Sequence, residues 1–300
     1  MPRRHAFTLL ELAVVIFLLA TLSLSAISLV GRTDHQIRYE DTRSRLLRLR
    51  DAIVGEGALA GYVADMGVLP ADVASLLDAP GNAEAFGLKA PSLGGVDLPG
   101  LPKGWRGPYL ALPPARAGAP MRFRDRWGNV SRDAAGDPDP TADASDHGWR
   151  FEVDAGTLTL ASRGADGLPG DSGETAYDAD IELTIPAANW RVEVAGWSVD
   201  VRNATGESRD LLVTLLVYEY DPATGSAWQR YDTDTVTVAD GTTASLTFPS
   251  QAGRVVPIGR HLLVVVEDGA GDAPYENSDS THTTRQVAFG ATNPRTTTGP

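Results

Sequence analysis

The sequence predicts an α+β protein in which a long N-terminal helix and an antiparallel sheet are followed by a C-terminal all-β sandwich. Three observations carry this prediction. Residues 7–30 form an apolar run without glycine or proline and with a single charge, Glu11. An apolar stripe at helical spacing continues beyond this run. The last third of the chain contains short segments of alternating apolar and polar residues, separated by turns.

Composition bounds the function before any motif is considered. The chain of 300 residues has 26 basic and 39 acidic residues, a net charge of −13, and no cysteine. Its first 50 residues carry eight arginines against four carboxylates, or +4, so the remainder carries −17. Nucleic acid is not an expected partner, because phosphate binding needs clustered Lys and Arg. The absence of cysteine excludes a disulfide scaffold, a Cys zinc site and a cysteine nucleophile.

The apolar run is long enough to cross a membrane. Its 24 residues span about 36 Å at about 1.5 Å per residue, and a hydrocarbon layer is about 30 Å thick. Arg3 and Arg4 precede it and favour a cytoplasmic N-terminus. A plain anchor and a secretory signal cleaved near Ser23 are the alternatives. The run exceeds the about 7–15 apolar residues of a signal, and a membrane carboxylate such as Glu11 costs about 2.5–3.5 kcal/mol, which favours a dedicated role.

Residues 4–12, RHAFTLLEL, resemble the leader of type IV prepilins and of type II secretion pseudopilins. The resemblance implies that prepilin peptidase cleaves between Ala6 and Phe7 and that the new amine is methylated. It also implies that Glu11 neutralises this amine on a neighbouring subunit and sets the axial stagger of a helical filament. Leaders of the family usually carry Gly where this chain has Ala6.

The helix is predicted to continue past the membrane and to end between Gly57 and Gly67. One apolar stripe on it consists of Tyr39, Leu46, Leu49 and Ile53. The arginines between these positions lie on the solvated face, where they serve solubility or pairing with another subunit. Residues 78–104 are rich in Gly, Pro and Ala and are predicted to be loop.

Two aromatic segments extend the resemblance into the body of the protein. Residues 105–110, WRGPYL, resemble a segment of major pseudopilins, and residues 125–129, DRWGN, resemble their DPWGN segment with Arg126 in place of Pro. The resemblance implies a pilin-like fold, in which a long helix packs on an antiparallel sheet and these aromatic side chains belong to the core. Residues 149–160 alternate around Asp154 to Gly156 and predict a hairpin.

The loop of residues 162–181 is the candidate metal site. It contains five carboxylates, four glycines and one cation. Such carboxylates repel one another unless they are solvated or bridged, and Ca²⁺ binds both carboxylate and carbonyl oxygens. The residues alone leave a solvated loop as the alternative, and the spacing is not that of an EF-hand. The loop also resembles the calcium loop of major pseudopilins. The ligands implied by that resemblance are side-chain oxygens of Asp166 and Asp180, the carbonyl of Arg163, and, from the remainder of the loop, Asp178 and Ser172.

The resemblance ends near Trp190, and the remaining residues are strand-like. Strands are predicted at Val192–Val194, Val199–Val201, Leu211–Tyr220, Trp228–Tyr231, Thr235–Val238, Ser245–Phe248, His261–Glu267 and Arg285–Phe289. Such short strands with intervening turns indicate an Ig-like or fibronectin-like sandwich. The predicted organisation is a leader at 1–6, a transmembrane assembly helix at 7–31, a pilin-like domain at 32–189, the sandwich at 190–292 and a flexible tail at 293–300.

The sequence predicts a structural subunit and not an enzyme, because it lacks a P-loop, G-x-S-x-G and H-E-x-x-H, and its five histidines are scattered. The resemblance implies a pseudopilin of type II secretion or a related type IV filament, anchored by one span in the bacterial inner membrane with its globular domains in the periplasm. The implied partners are other pilin or pseudopilin subunits, prepilin peptidase, the inner membrane and its assembly platform.

Two other functions stay open. One is a minor pilin or adhesin that binds a surface or carbohydrate through the sandwich, which an exposed Trp197 or Trp228 would support. The other is a membrane-anchored periplasmic module that does not assemble. Whether the subunit occupies the shaft or the tip of a filament is also left open.

Overall fold

A computed structural model describes most of the chain. The described residues are 9–56, 59–112, 122–133, 135–170, 175–249, 255–267, 284–290 and 293–295. Within these ranges, the side chains of residues 9–11 and 24–32 and of a few strand residues are not described. The described part combines a long N-terminal helix with antiparallel sheets and a strand-rich C-terminal part, which confirms the predicted α+β class.

The helices and strands occur in the following order. The α-helices are α1 (Leu9–Val54), α2 (Tyr62–Met66) and α3 (Pro140–Asp146), and 3-10 turns lie at Ala74–Leu76 and Ala187–Asn189. The strands of the N-terminal part are β1 (Gly55–Glu56), β2 (Leu59–Ala60), β3 (Gly87–Lys89), β4 (Ser92–Leu93), β5 (Val96–Asp97), β6 (Leu101–Lys103), β7 (Arg150–Asp154), β8 (Thr157–Ser162) and β9 (Ile181–Ile185). The strands of the C-terminal part are β10 (Arg191–Glu193), β11 (Ser198–Arg202), β12 (Arg209–Asp221), β13 (Gly225–Asp232), β14 (Val236–Val238), β15 (Thr243–Thr247), β16 (Val255–Pro257), β17 (Gly259–Glu267), β18 (Thr284–Gly290) and β19 (Asn293–Arg295).

Helix α1 ends at Val54 and not between Gly57 and Gly67, so the predicted end is wrong. Gly55 adopts a φ of 96°, a left-handed conformation that stops the helix. Gly55 and Glu56 then pair with Leu59 and Ala60 as the ladder β1–β2. A side chain on Gly61 would collide with the backbone at Ile53, which explains a glycine directly after this turn.

The lower half of α1 packs on the three-stranded sheet β7-β8-β9. The predicted apolar stripe is confirmed: Leu46, Leu49 and Ile53 are buried, and Tyr39 packs against their cluster. The predicted hairpin is also confirmed as β7 and β8, joined by a two-residue turn. Ala155 and Gly156 both have positive φ, 46° and 81°, as a type I′ turn requires.

The C-terminal part is built around a six-stranded sheet. Its strands follow the order β13-β12-β17-β18-β19, and β14 pairs with the start of β12. The two-stranded ladders β10–β16 and β11–β15 pack on one face of this sheet, through a core that includes Val213, Leu215 and Phe248. All eight predicted C-terminal strands overlap observed ones, and β16 and β19 of this part were not predicted. Strand β19 lies within the segment predicted to be a flexible tail and pairs there with β18.

Residues 78–104 are not simply loop, which corrects the prediction for that segment. They contain β3, β4, β5 and β6, and they cover the second face of the C-terminal sheet. The contacting side chains are Leu93, Leu98 and Leu101 from this segment and Leu212, Leu216, Leu262, Val264 and Val266 from β12 and β17. The N-terminal part thus covers the second face of the C-terminal sheet. This explains why the central strands of that sheet are apolar on both faces.

Polar side chains are buried where the two parts of the chain meet. Lys103 is fully buried, and its Nζ donates a hydrogen bond to the carbonyl of Ala64 at 2.8 Å. His261 is fully buried on β17, with Nε2 2.8 Å from the carbonyl oxygen of Pro257. Burial lowers the pKa of Lys103 to about 8. Burial, together with the nearby charge of Lys103, lowers the pKa of His261 to about 3.

Candidate functional site

The upper part of α1 is apolar and exposed on all sides. Every described side chain from Leu12 to Ser23 is exposed, and Phe17 and Leu22 reach 67% and 65% exposure. A helix that is apolar all round is stable only when other helices or lipid surround it. This stretch of α1 is therefore a surface that needs a partner.

The lower part of α1 is held firmly against the body. Thr42 is completely buried and its hydroxyl accepts a hydrogen bond from the backbone N–H of Arg126 at 3.1 Å. The guanidinium of Arg45 donates to the carbonyl of Arg124 at 2.7 Å. The helix is thus a stem whose apolar end projects from the body that anchors its other end.

The processing residues fall largely outside the described part of the chain. Ala6 and Phe7, between which the resemblance implies cleavage, lie outside the described residues. Glu11 lies within α1, but its side chain is not described. Over the described residues, no helix combines the length and apolar character needed to span a membrane. The predicted span 7–31 includes two residues outside the description, 7 and 8, and many whose side chains are not described.

The segments that resemble those of major pseudopilins are core elements, as expected. The indole of Trp105 donates to the carbonyl of Ser75 at 3.1 Å, and the hydroxyl of Tyr109 donates to Asp65 at 3.0 Å. The carboxylate of Asp125 accepts hydrogen bonds from the backbone of Gly128 and Asn129 and from the hydroxyl of Ser162. The last bond ties the DRWGN segment to the first residue of the acidic loop.

The acidic loop is held together largely by its own hydrogen bonds. The N–H of Ala165 donates to the carbonyl of Tyr177 at 2.8 Å, and the N–H of Asp180 donates to the carbonyl of Gly170 at 3.0 Å. The side chain of Asp178 accepts from the N–H and hydroxyl of Thr175 at 2.7 and 2.8 Å. These contacts bring both ends of the loop together.

The predicted calcium ligands are only partly assembled in the described structure. Arg163, Asp166, Asp178 and Asp180 are described, and Ser172 lies outside the described residues. Asp166 accepts a hydrogen bond from the N–H of Leu168, and Asp178 is engaged with Thr175. Among the described residues, no group of three or more His, Cys, Asp and Glu side chains is arranged to hold a metal ion.

Among the described residues of this loop, Asp180 has an environment that calls for a cation. Its side chain is 8% exposed, and Oδ2 lies 3.2 Å from the guanidinium of Arg150. Its Oδ1 is buried without a hydrogen-bond partner among the described atoms. Burial raises the pKa of Asp180, and a backbone hydrogen bond from Gly170 and the charge of Arg150 only partly offset this rise. A buried carboxylate oxygen without a donor is costly, and a bound cation would remove that cost.

The loop also packs on the stem, a contact that sequence reasoning missed. The ring of Tyr177 lies 5.5 Å from that of His35 and 6.1 Å from that of Tyr39, and its hydroxyl donates to Gln36 at 2.9 Å. The signal in the sequence for this contact was Tyr177, a single tyrosine in a loop of Asp, Gly and Ser. Any ion that orders this loop therefore acts on the surface of the stem as well.

Comparison with known proteins identifies the N-terminus. Residues 1–27 match the prokaryotic N-terminal methylation motif. This match supports a type IV pilin-like protein that is processed by prepilin peptidase and assembles with other pilin subunits. No curated protein and no solved structure matches the chain at a significant level.

Proposed function

We propose that the chain is a structural subunit of a type IV pilin-like filament, of the pseudopilin kind that serves type II secretion. The observation that carries this proposal is the joining of the methylation motif at 1–27 to a stem helix whose described upper side chains are exposed and apolar. The inner membrane covers this surface before assembly, and the stems of neighbouring subunits cover it afterwards. The globular parts lie in the periplasm.

The C-terminal part is proposed to be a two-layer β-sandwich displayed outward from such a filament. Its support is the apolar core between the six-stranded sheet and the facing ladders. Trp197 stacks on Phe248 at 5.5 Å, and Trp228 packs against Tyr218, so neither indole offers the exposed aromatic surface expected of an adhesin. The proposal of a structural role is preferred for that reason.

Processing of the N-terminus provides the direct test. We expect the native protein to begin with a methylated Phe7, as measured by N-terminal sequencing and intact mass. Ala6→Gly should be cleaved equally well, and a bulky Ala6→Trp should block cleavage because the leader must enter a small pocket. Glu11→Ala should be cleaved but should fail to assemble. A native chain that still bears Met1, or that starts well downstream of Phe7, would contradict the proposal.

A structural Ca²⁺ ion in the acidic loop is a second part of the proposal. Asp180 would supply the buried oxygen, and Asp166, Asp178, Ser172 and the carbonyl of Arg163 are the further candidate ligands. Bound Ca²⁺ would neutralise the carboxylates and, through Tyr177, keep the loop against the stem. The support for it is the buried Oδ1 of Asp180, which has no hydrogen-bond partner among the described atoms.

Calcium removal is expected to lower the melting temperature of the full-length protein in detergent. At a free Ca²⁺ concentration 100 times Kd, binding contributes about 2.7 kcal/mol, and each kcal/mol shifts Tm by roughly 2–4 °C in a chain of this size. Asp180→Asn should abolish the difference in Tm between calcium and chelator, and the exposed Asp97→Asn should preserve it. If chelator changes neither Tm nor protease sensitivity of the wild type, the loop is a solvated one.

A further inference from the structure

A cavity of about 350 Å³ lies where the N-terminal part of the chain meets the end of β12. Its walls come from α2 and the residues after it, from the 3-10 turn at Ala74–Leu76 and its flanking residues, and from the turn that follows β12. The described lining includes no residue of the acidic loop or of the apolar upper stem. The volume is within the range of about 300–1,000 Å³ that small-molecule sites in proteins usually have.

Two buried tyrosines line this cavity, Tyr62 and Tyr220, which are 1% and 5% exposed. Neither hydroxyl has a hydrogen-bond partner among the described residues. Burial raises the pKa of Tyr62, and the nearby Tyr220 and Asp72 raise it further, so the hydroxyl is protonated at neutral pH. Because Tyr220 and Asp72 also line the cavity, the hydroxyl of Tyr62 lies on the cavity side of its ring. A buried hydroxyl without a partner is costly, and a bound ligand would offset that cost.

The charged groups of the cavity are carboxylates. Asp72 and Asp78 line it, and no Lys, Arg or His is among its described lining residues. The Oδ1 atom of Asp72 accepts hydrogen bonds from the N–H and the hydroxyl of Ser75, at 2.8 and 2.6 Å, whereas its Oδ2 has no partner among the described residues. Asp146 of α3 lies close enough to repel Asp72, since burial first and Asp72 next raise the pKa of Asp146 to about 6. The electrostatic potential in the cavity is therefore negative.

Much of the remaining wall is apolar. Its apolar side chains are those of Val68, Leu69, Ala71, Pro80 and Pro222. Val68 and Leu69 are half-buried and pack against the core of the N-terminal part, so their other sides are open to the cavity. A ligand with an apolar body would remove this surface from water. The cavity thus combines an apolar wall with hydrogen-bonding oxygens and negative charge.

An ammonium group matches these oxygens in charge and in hydrogen bonding. It carries three N–H donors and no acceptor. The Oδ2 atom of Asp72 and the hydroxyl oxygens of Tyr62 and Tyr220 are available as acceptors, and tyrosine rings attract cations. An anion would be repelled by the carboxylates, and a neutral polyol would leave their charge uncompensated.

We propose that this cavity binds a small organic ammonium compound, whose cationic group contacts Asp72 and the two tyrosine hydroxyls and whose apolar part lies against Val68 and Leu69. This inference goes beyond the proposed assembly function and does not depend on it. Because the walls come from both parts of the chain, the ligand contacts both and stabilises the junction between them.

Isothermal titration calorimetry on the full-length protein in detergent, at neutral pH, tests the class of ligand. The probes are phenethylamine, phenethyl alcohol and phenylacetate, which are similar in size but cationic, neutral and anionic, and titration into detergent alone gives the background. We expect saturable binding of phenethylamine, at least tenfold weaker binding of phenethyl alcohol, and no binding of phenylacetate. Equal affinity for the amine and the alcohol, or binding of none of the three, would refute the inference.

Variants of the lining residues test the place of binding. Asp72→Asn removes the charge but keeps an oxygen for Ser75, and it should weaken phenethylamine binding at least tenfold. Asp78→Asn, at an exposed position where folding is not at risk, should weaken it at least threefold. Asp200→Asn, exposed on β11 and outside the cavity, makes the same change in net charge and should bind phenethylamine as the wild type does.

Tyr62→Phe separates binding from stability. It should weaken phenethylamine binding at least threefold and leave the melting temperature of the unliganded protein unchanged, because the hydroxyl has no hydrogen bond with a described residue to lose. Phenethylamine should also raise the melting temperature of the wild type with increasing concentration, and should not raise that of Asp72→Asn. If Asp72→Asn and Tyr62→Phe both bind phenethylamine as tightly as the wild type, the amine binds elsewhere and the inference is wrong.

Discussion

Trp190→Ala is expected to destabilise the protein by about 3–5 kcal/mol, the cost of deleting a large buried aromatic side chain. Trp190 is 2% exposed and belongs to the core shared by α1 and the β7-β8-β9 sheet. Its indole N–H donates to the carbonyl of Gly156 at 2.7 Å, and its own carbonyl accepts from Ile258 at 2.8 Å. The residue therefore joins the hairpin turn of the N-terminal part to the segment between β16 and β17. The free energy of unfolding of a domain is only about 5–15 kcal/mol, so the substitution would remove a large fraction of it.

Chemical denaturation followed by far-UV circular dichroism measures this effect on the full-length protein in detergent. Trp190→Phe is the matched control, since it keeps a buried ring and loses the hydrogen bond to Gly156. We expect it to cost about 1–3 kcal/mol, the penalty of a buried carbonyl left without its donor. Leu88→Ala, at an exposed position, should stay within about 0.5 kcal/mol of the wild type. Equal effects of the two Trp190 variants would show that ring volume is not what holds this junction.

Acid is expected to destabilise the junction of the two parts through His261. The pKa of His261 is about 3 in the folded protein. The pKa of a histidine in an unfolded chain is about 6.5. The neutral imidazole is therefore favoured by folding, and its contribution is complete above pH of about 6.5 and is lost as the pH falls toward 3. At about 1.36 kcal/mol per unit, this loss amounts to about 3 kcal/mol at pH 4. Carboxylates with raised pKa, such as Asp146 at about 6, act in the opposite direction and reduce the net change.

Comparison with a variant isolates the histidine from those carboxylates. His261→Gln should show a smaller loss of unfolding free energy between pH 7 and pH 4 than the wild type, by about 3 kcal/mol. Lys103→Met should reduce the acid sensitivity without abolishing it, because burial is the larger cause of the lowered pKa and the Lys103 charge the smaller. A wild type and a His261→Gln variant with parallel pH profiles would refute the assignment.

Local patterns in the sequence were sufficient for the elements whose burial is decided by their own periodicity. The stripe through Leu46, Leu49 and Ile53 marks the buried face of α1, and the type I′ turn at Ala155 and Gly156 follows from a short polar interruption between alternating strands. The run Leu211–Tyr220 was predicted to be a strand, and it lies in β12, which is paired on both sides. In each case the information lies within about ten consecutive residues.

The segment 78–104 could not be understood in this way. Its Gly and Pro content is typical of loop, yet Leu93, Leu98 and Leu101 are buried against strands that follow more than 100 residues later. Lys103 and His261 are likewise buried only because two distant segments meet around them. Such contacts leave no periodic signal in either segment.

The parts of the candidate site that belong to a sequence motif could be predicted. The methylation motif confirms the leader-like character of residues 1–27. Asp180 was predicted as a calcium ligand from resemblance, and its buried position adds a physical reason that the sequence did not provide. The docking of Tyr177 on the stem, by contrast, depends on how the loop folds back on α1 and was not visible in the sequence.

The covering of the C-terminal sheet by Leu93, Leu98 and Leu101 has a consequence for how this chain matures after export. These leucines emerge early, but β17, which receives them, follows some 160 residues later. Contacts of such large sequence separation slow folding, since a long loop must close before they contribute. These three leucines therefore stay without their packing partners until nearly the entire polypeptide is available.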